Sequence, residues 1–209
     1  MFKKILITII LVISFSQNVY AYDFLKFPAI IDKIKLEMSY IDFKNILPES
    51  RLVVENNSKK MLTFFFENNE LWNSAIFFFK DEQLQYFSIL KLKLNEKFNG
   101  SEINNYVPDL LRNLIKKYGC NITKHVIGQN SNKKYYEPLI IWHTDSSNIY
   151  FNYTPDKMSD IVETANISIG FSVQEVEIVE YYPNIVSSGE VNFNDLLSDE
   201  IKQIINKSK

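Results

Sequence analysis

Between Lys60 and Leu94 apolar runs alternate with polar punctuation at a spacing that suits strands. Met61-Leu62-Thr63-Phe64-Phe65-Phe66 is followed by Asn68-Asn69-Glu70. Trp72 to Phe79 ends in Phe77-Phe78-Phe79, and Asp81-Glu82 separates it from Leu84 to Leu94. Short aromatic and β-branched runs broken by turn residues predict three consecutive antiparallel strands, a meander whose core face needs helices from elsewhere in the chain. In the third run Leu84, Tyr86, Ser88, Leu90, Leu92 and Leu94 alternate with Gln85, Phe87, Ile89, Lys91 and Lys93. Toward its end that alternation gives one wet face and one dry face. The two triple-Phe runs are apolar on both faces. Each is either covered on both sides or shows aromatic rings to solvent as a contact patch.

Upstream, Pro28 with Ile30, Ile31 and Ile34 predicts a short helix or turn. Ser39 followed by Asp42 gives a helix start, Phe43, Ile46 and Leu47 share one face, and Pro48 ends the helix. Arg51 to Glu55 reads as a first strand. Downstream, a helix is expected over Glu102 to Gly119. Its stripe is Val107, Leu110, Leu111, Leu114 and Ile115, with Pro108 in its first turn and Gly119 as its terminator. Strands follow at Ile122 to Ile127, Pro138 to Thr144 and Asn148 to Tyr153, with a polar loop over Gly128 to Lys134. A long strand from Ala165 to Tyr182 changes phase, which predicts a bulge near Gln174-Glu175. Asn194 to Lys207 reads as an amphipathic helix capped by Asn192 or Asn194.

The two halves thus share one grammar, a helix followed by several antiparallel strands. The expected class is α+β: antiparallel sheet in a meander, helices packed on one face, and two tandem helix-plus-strands modules over 22–98 and 99–209 that form one sheet or two layers.

Composition adds the compartment. Lys3-Lys4, the apolar run Ile5 to Phe15 and Val19-Tyr20-Ala21 form a secretory signal peptide, expected to be cleaved after Ala21. The apolar run is shorter than the roughly 20 residues that span a bilayer, so no stable membrane span is expected after cleavage. The expected location is periplasmic or secreted. Loss of two lysines takes the formal net charge from −2 to −4, so no basic stripe is left to recruit nucleic acid. Cys120 is the single cysteine and excludes an internal disulfide. The Lys, Asn, Ile, Phe and Tyr bias, with five Gly, fits an AT-rich bacterial coding sequence.

Chemistry is sparse. His125 and His143 are the two histidines, and His143 with Asp145 would share a strand face. That is no ligand set, and no metal, cofactor or catalytic residue is assigned. Cys120 directly follows a helix-ending Gly, which does not favour a thiolate. No nucleophile elbow, phosphate loop or zinc-protease pattern occurs. The candidate interaction surface is Phe64, Phe66, Trp72, Phe78, Trp142 and Tyr150.

At Met38-Ser39-Tyr40-Ile41-Asp42-Phe43-Lys44-Asn45-Ile46-Leu47 the chain resembles the helix opening of small exported α/β modules of the β-lactamase-inhibitor-like and SmpA/OmlA-like type. Those carry a Gly-Met-Ser/Thr start, a short helix with a periodic aliphatic, and a strand meander. The resemblance covers about 35–94. Glu37 replaces the usual Gly, and Pro48 replaces the Gly that usually ends the helix. The resemblance implies a non-enzymatic module that binds another protein through its sheet. Three functions follow from the sequence: an exported module with an unknown protein partner, a carrier of an apolar small molecule or lipid, and a hydrolase of unrecognised type.

Overall fold

The computed structural model describes residues 27–207, apart from 57, 68, 70–71, 95–100, 131–133, 156–163 and 175–190. Its centre is one eight-stranded antiparallel sheet, ordered β1-β2-β3-β4-β8-β7-β6-β5. The strands are β1 (Arg51–Asn56), β2 (Lys59–Phe65), β3 (Ser74–Lys80), β4 (Gln83–Leu94), β5 (Ile122–Asn130), β6 (Lys134–His143), β7 (Ser147–Tyr153) and β8 (Thr164–Val173). Each half is a four-stranded meander, and the last strands of the halves, β4 and β8, pair with Ile89 opposite Ile169. The modules therefore form one continuous sheet.

Three helices cover one face: α1 (Tyr40–Ile46), α2 (Ser101–Tyr118) and α3 (Asp199–Lys207). Their apolar stripes share a single core with Leu62, Phe77, Phe79, Phe87, Ile89, Trp142, Phe151 and Ile169 of the sheet. This is the α+β class expected from the sequence.

Helix α1 starts where Ser39 Oγ accepts from the amide of Asp42 (3.1 Å) and donates to its carboxylate (2.7 Å). Its Phe43 is fully buried against Phe77 and Phe79, with ring centroids at 4.7 and 5.0 Å. Lys44 closes the other end by donating to the carbonyls of Pro48 and Ser50. In α2 the core positions are Val107, Leu110, Leu111 and Leu114, all fully buried. Gly119 follows with φ of 80°, and its carbonyl accepts the Trp142 indole N–H at 3.0 Å, which ties the helix end to β6.

Some boundaries differ from the sequence expectation. Pro108 lies inside α2, not in its first turn, because the helix begins at Ser101. The strand pair β5–β6 runs on to Asn130 opposite Lys134, through much of the expected polar loop. Pro138 lies in β6 opposite Val126, just before β6 begins to pair with β7 at Leu139, so its missing N–H costs no ladder bond on that side. The expected C-terminal helix is split. Phe193–Leu196 is a 3-10 turn capped by Asn192, and α3 starts anew where Ser198 Oγ accepts from the Ile201 amide. The Ile30–Ile34 stretch holds a 3-10 turn over Ile31–Lys33. Gln174 is a turn that ends β8, and the rest of the expected long strand lies outside the described residues.

A bulge in β4 also changes a face assignment. Phe78 is opposite Tyr86 but Phe79 is opposite Leu84, so Gln85 is an extra residue. Leu84 therefore joins the helix-covered core while Tyr86 points to the other face.

That second face has its own small cluster of Tyr86, Ile127, Leu139, Ile141 and Tyr150, with Phe78 against it. Gly170 of β8 makes it possible. A Cβ there would lie 2.6 Å from the Tyr86 hydroxyl oxygen, and the bare backbone lets the Tyr86 ring cross β8 to reach Tyr150 (5.8 Å, edge to face). Gly170→Ala should destabilise the protein by about 1–3 kcal/mol, because the trapped ring has to move. In the Tyr86→Ala background the same change should cost less, and urea titration of the four-protein cycle measures the difference.

Candidate interaction surface

The six residues singled out from the sequence part into two groups. Trp72, Trp142 and Tyr150 are 0 %, 1 % and 1 % exposed and take no part in a surface. Trp72 packs beside Phe27 in the helix-covered core, and Trp142 holds α2. Tyr150 is folded under the second face, where its hydroxyl bonds Ser172 at 2.9 Å and burial raises its pKa. Bulk and aromaticity suggested contact for these three, but in this sheet they fill the interior. Phe64 and Phe66 are half-buried against the helix-covered core, and Phe78 is half-buried against the small cluster on the other face.

The large apolar residues most open to solvent were not among the six. Strand β1 is exposed along its whole length, and its centre is Leu52-Val53-Val54. Phe65 of β2 is 56 % exposed and Ile41 of α1 is 71 % exposed. The sequence signal for β1 was a plain aliphatic strand, which reads the same at the edge of a sheet as at its centre. Beside β1, on the face away from the helices, lies a groove of about 230 Å³ with Val54, Met61 and Phe78 as its floor and Lys59, Lys80 and Gln85 around it.

The hairpin at the end of this groove is held firmly. Asp81 and Glu82 both take left-handed φ (51° and 64°), the geometry of a two-residue turn that follows the twist of β3 and β4. The Glu82 carboxylate pairs with Lys60, its carbonyl accepts from the Tyr40 amide at 2.8 Å, and the Lys60 ammonium sits 4.4 Å from the Tyr40 ring. Glu82 raises the Lys60 pKa.

On the second half of the same face, beside its small apolar cluster, several polar side chains are buried as well. Glu137 is fully buried, and its carboxylate accepts from Asn152 Nδ2 (2.7 Å) and Thr154 Oγ1 (2.6 Å). Asn152 in turn accepts from Ser168, so one network crosses β6, β7 and β8. These contacts fix strand register and face no groove described here. Glu137→Ala should lower the unfolding free energy by about 3 kcal/mol, since two hydrogen bonds go and their donors stay buried. Denaturant midpoints of the two proteins check this.

The candidate chemistry is also placed. Both His143 ring nitrogens are engaged, Nε2 with Thr123 Oγ1 and Nδ1 with Asn148 Oδ1, each at 2.9 Å. Cys120 is exposed at the end of α2. Among the described residues no three or more His, Cys, Asp or Glu converge as a metal site, and no described helix is long and apolar enough to cross a membrane. Comparison with protein-family models, with curated proteins and with solved structures returned no match for this chain.

His125 has its pKa lowered, first by burial and then by His143. The unfolded chain therefore binds the proton more readily than the folded one. Stability should fall as pH drops below the ordinary histidine value of about 6.5, and His125→Gln should reduce that loss. Urea midpoints at about pH 7.5 and about pH 5.5 test the sign.

Proposed function

We propose that this chain is an exported, non-enzymatic protein-binding module whose contact surface is the first half of its sheet. The observation that carries this reading is the run Leu52-Val53-Val54, exposed along the edge strand β1, with Phe65 of the neighbouring strand also exposed. Contiguous exposed apolar surface marks a place where something else binds. The basic start, apolar run and Ala21 at the N-terminus support export.

The carrier reading has less support. The groove beside β1 holds about 230 Å³, below the roughly 300–1,000 Å³ of small-molecule sites, and the larger concavity of about 380 Å³ between α2 and α3 is open and lined mostly by Arg112, Lys116, Glu200, Gln203 and Lys207, a poor lining for an apolar ligand. The hydrolase reading has no observation in its favour among the described residues, where His143 contacts Thr123 and Asn148 away from the groove.

The test uses the 22–209 chain as bait in periplasmic extract or culture medium. A protein captured by the wild type should be lost with the double variant Val53→Glu/Phe65→Glu, whose stability should stay within about 0.5 kcal/mol because both sites are at the surface. Recovery of a bound lipid and no protein would favour the carrier. Chain recovered outside the cytoplasm should begin at Tyr22, and an uncleaved cytoplasmic chain overturns export.

A further inference from the structure

A second open surface lies on the helix layer, away from β1. Helices α2 and α3 pack on one another, and a concavity of about 380 Å³ opens between them. Arg112, Ile115 and Lys116 line it from α2, and their spacing makes them one stripe of that helix. Glu200, Ile204 and Lys207 line it from α3, again as one stripe. Neither stripe is the one that fills the core, which is Val107 to Leu114 on α2 and Ile201 with Ile205 on α3.

The charges in this groove are sorted. Arg112 bonds Asp109 at 2.7 Å and Glu200 at 2.6 Å, so its charge is matched. Lys116 and Lys207 are both exposed, and among the described residues neither ammonium has an ion pair or a hydrogen bond. Both stand in the last turn of a helix, where a cation suits the dipole. That role does not account for Ile115 and Ile204 in the same groove, which pack on the core yet are only half-buried. The open sides of two isoleucines and two unmatched cations form one amphipathic surface.

We infer that this groove accepts an amphipathic helix from a partner protein, one that lays an aliphatic side chain on Ile115 and Ile204 and turns carboxylates toward Lys116 and Lys207. Backbone groups along the groove are used within the helices, so recognition here runs through side chains. Two packed helices leave a furrow between their ridges that a third helix can fill. A helix sets an aliphatic anchor and a carboxylate three or four positions apart on one face, the spacing of Ile204 and Lys207. An open site suits a small molecule poorly, since such ligands need most of their surface enclosed. The groove is separate from β1, and this inference does not rest on the reading of that edge.

A second copy of this chain is the weaker occupant. A two-fold contact at the groove offers Lys116 and Lys207 the described carboxylates of the same two helices. Asp109 and Glu200 are held by Arg112, and Asp199 is held by Lys202 at 3.2 Å.

The experiment titrates the 22–209 chain with a blocked helical peptide of about 16 residues, with leucine at every third or fourth position and glutamate beside it. The control carries lysine in place of glutamate. Backbone amide shifts are followed residue by residue. The acidic peptide should move amides over 112–116 and 203–207, bind at least about tenfold tighter than the control, and weaken with added salt. Lys116→Glu/Lys207→Glu should reverse the preference, and the neutral pair Lys116→Gln/Lys207→Gln should level it. Val53→Glu/Phe65→Glu should leave this binding unchanged, and its loss in that variant overturns the inference by placing the site at the edge. Equal binding of the two peptides by the wild type, no binding of either, or shifts centred elsewhere also overturns it. Dodecanoate that moves the same amides while the acidic peptide does not overturns it in favour of a small amphiphile. Concentration-dependent shifts of these amides without peptide overturn it in favour of a second copy.

Discussion

Everything in this fold hangs on the pairing of β4 with β8. Nine consecutive residue pairs, from Tyr86 opposite Ser172 to Leu94 opposite Thr164, join two four-stranded meanders edge to edge. Aromatic rings carry the join across the core. Phe77 stacks near Phe87 at 6.1 Å, Phe87 on Phe171 at 5.0 Å, and Phe171 meets Phe27 edge-on at 5.9 Å. Residues from both halves fill one core, so each half depends on the other for burial of its apolar face. The outer helix layer is tied in the same way, since Arg112 of α2 bonds Glu200 of α3 at 2.6 Å, although an exposed pair like this contributes little energy.

Joining the meanders through their last strands leaves β1 and β5 at the rims. The C-terminal turn covers part of the region around β5 and none of the described elements buries β1. The proposed contact surface is a consequence of that imbalance. Two extra residues shape it further. Val53 bulges β1 away from the regular ladder, and Gln85 shifts β4 so that Tyr86 turns to the face opposite the helices. The second half of that face is closed by Tyr86 lying over Gly170 and by the Glu137 network. The first half keeps an open groove, so the two halves share a topology but present different surfaces.

Much of the architecture was readable in residue order. The triple-Phe runs are strands, Phe43 lies on the buried face of a Ser39-capped helix, and the stripe from Val107 to Leu114 is core. These features are local, set by a period of 2 or 3.6 and by caps. The misassignments have two causes. Leu84 and Tyr86 were placed on one face because alternation has no mark for an inserted residue, and a one-residue shift inverts everything on one side of it. The single C-terminal helix was expected because its apolar positions stay in phase across Leu197 and Ser198. Only the Ser198 cap shows that the chain starts again there.

The candidate surface shows where residue order runs out. Apolar character at Trp142, Tyr150, Val53 and Phe65 is plain in the chain, and nothing local tells which of them will be wrapped. Sequence by itself determined the class and the helix-facing stripes, because those follow from neighbours within a few positions. Tertiary structure alone decided that β4 would meet β8, that β1 would be left at the rim, and that Lys59 and Lys80 would stand opposite one another. Edge and centre strands bury the same kinds of side chain, and the difference lies in which distant segment takes their remaining backbone groups.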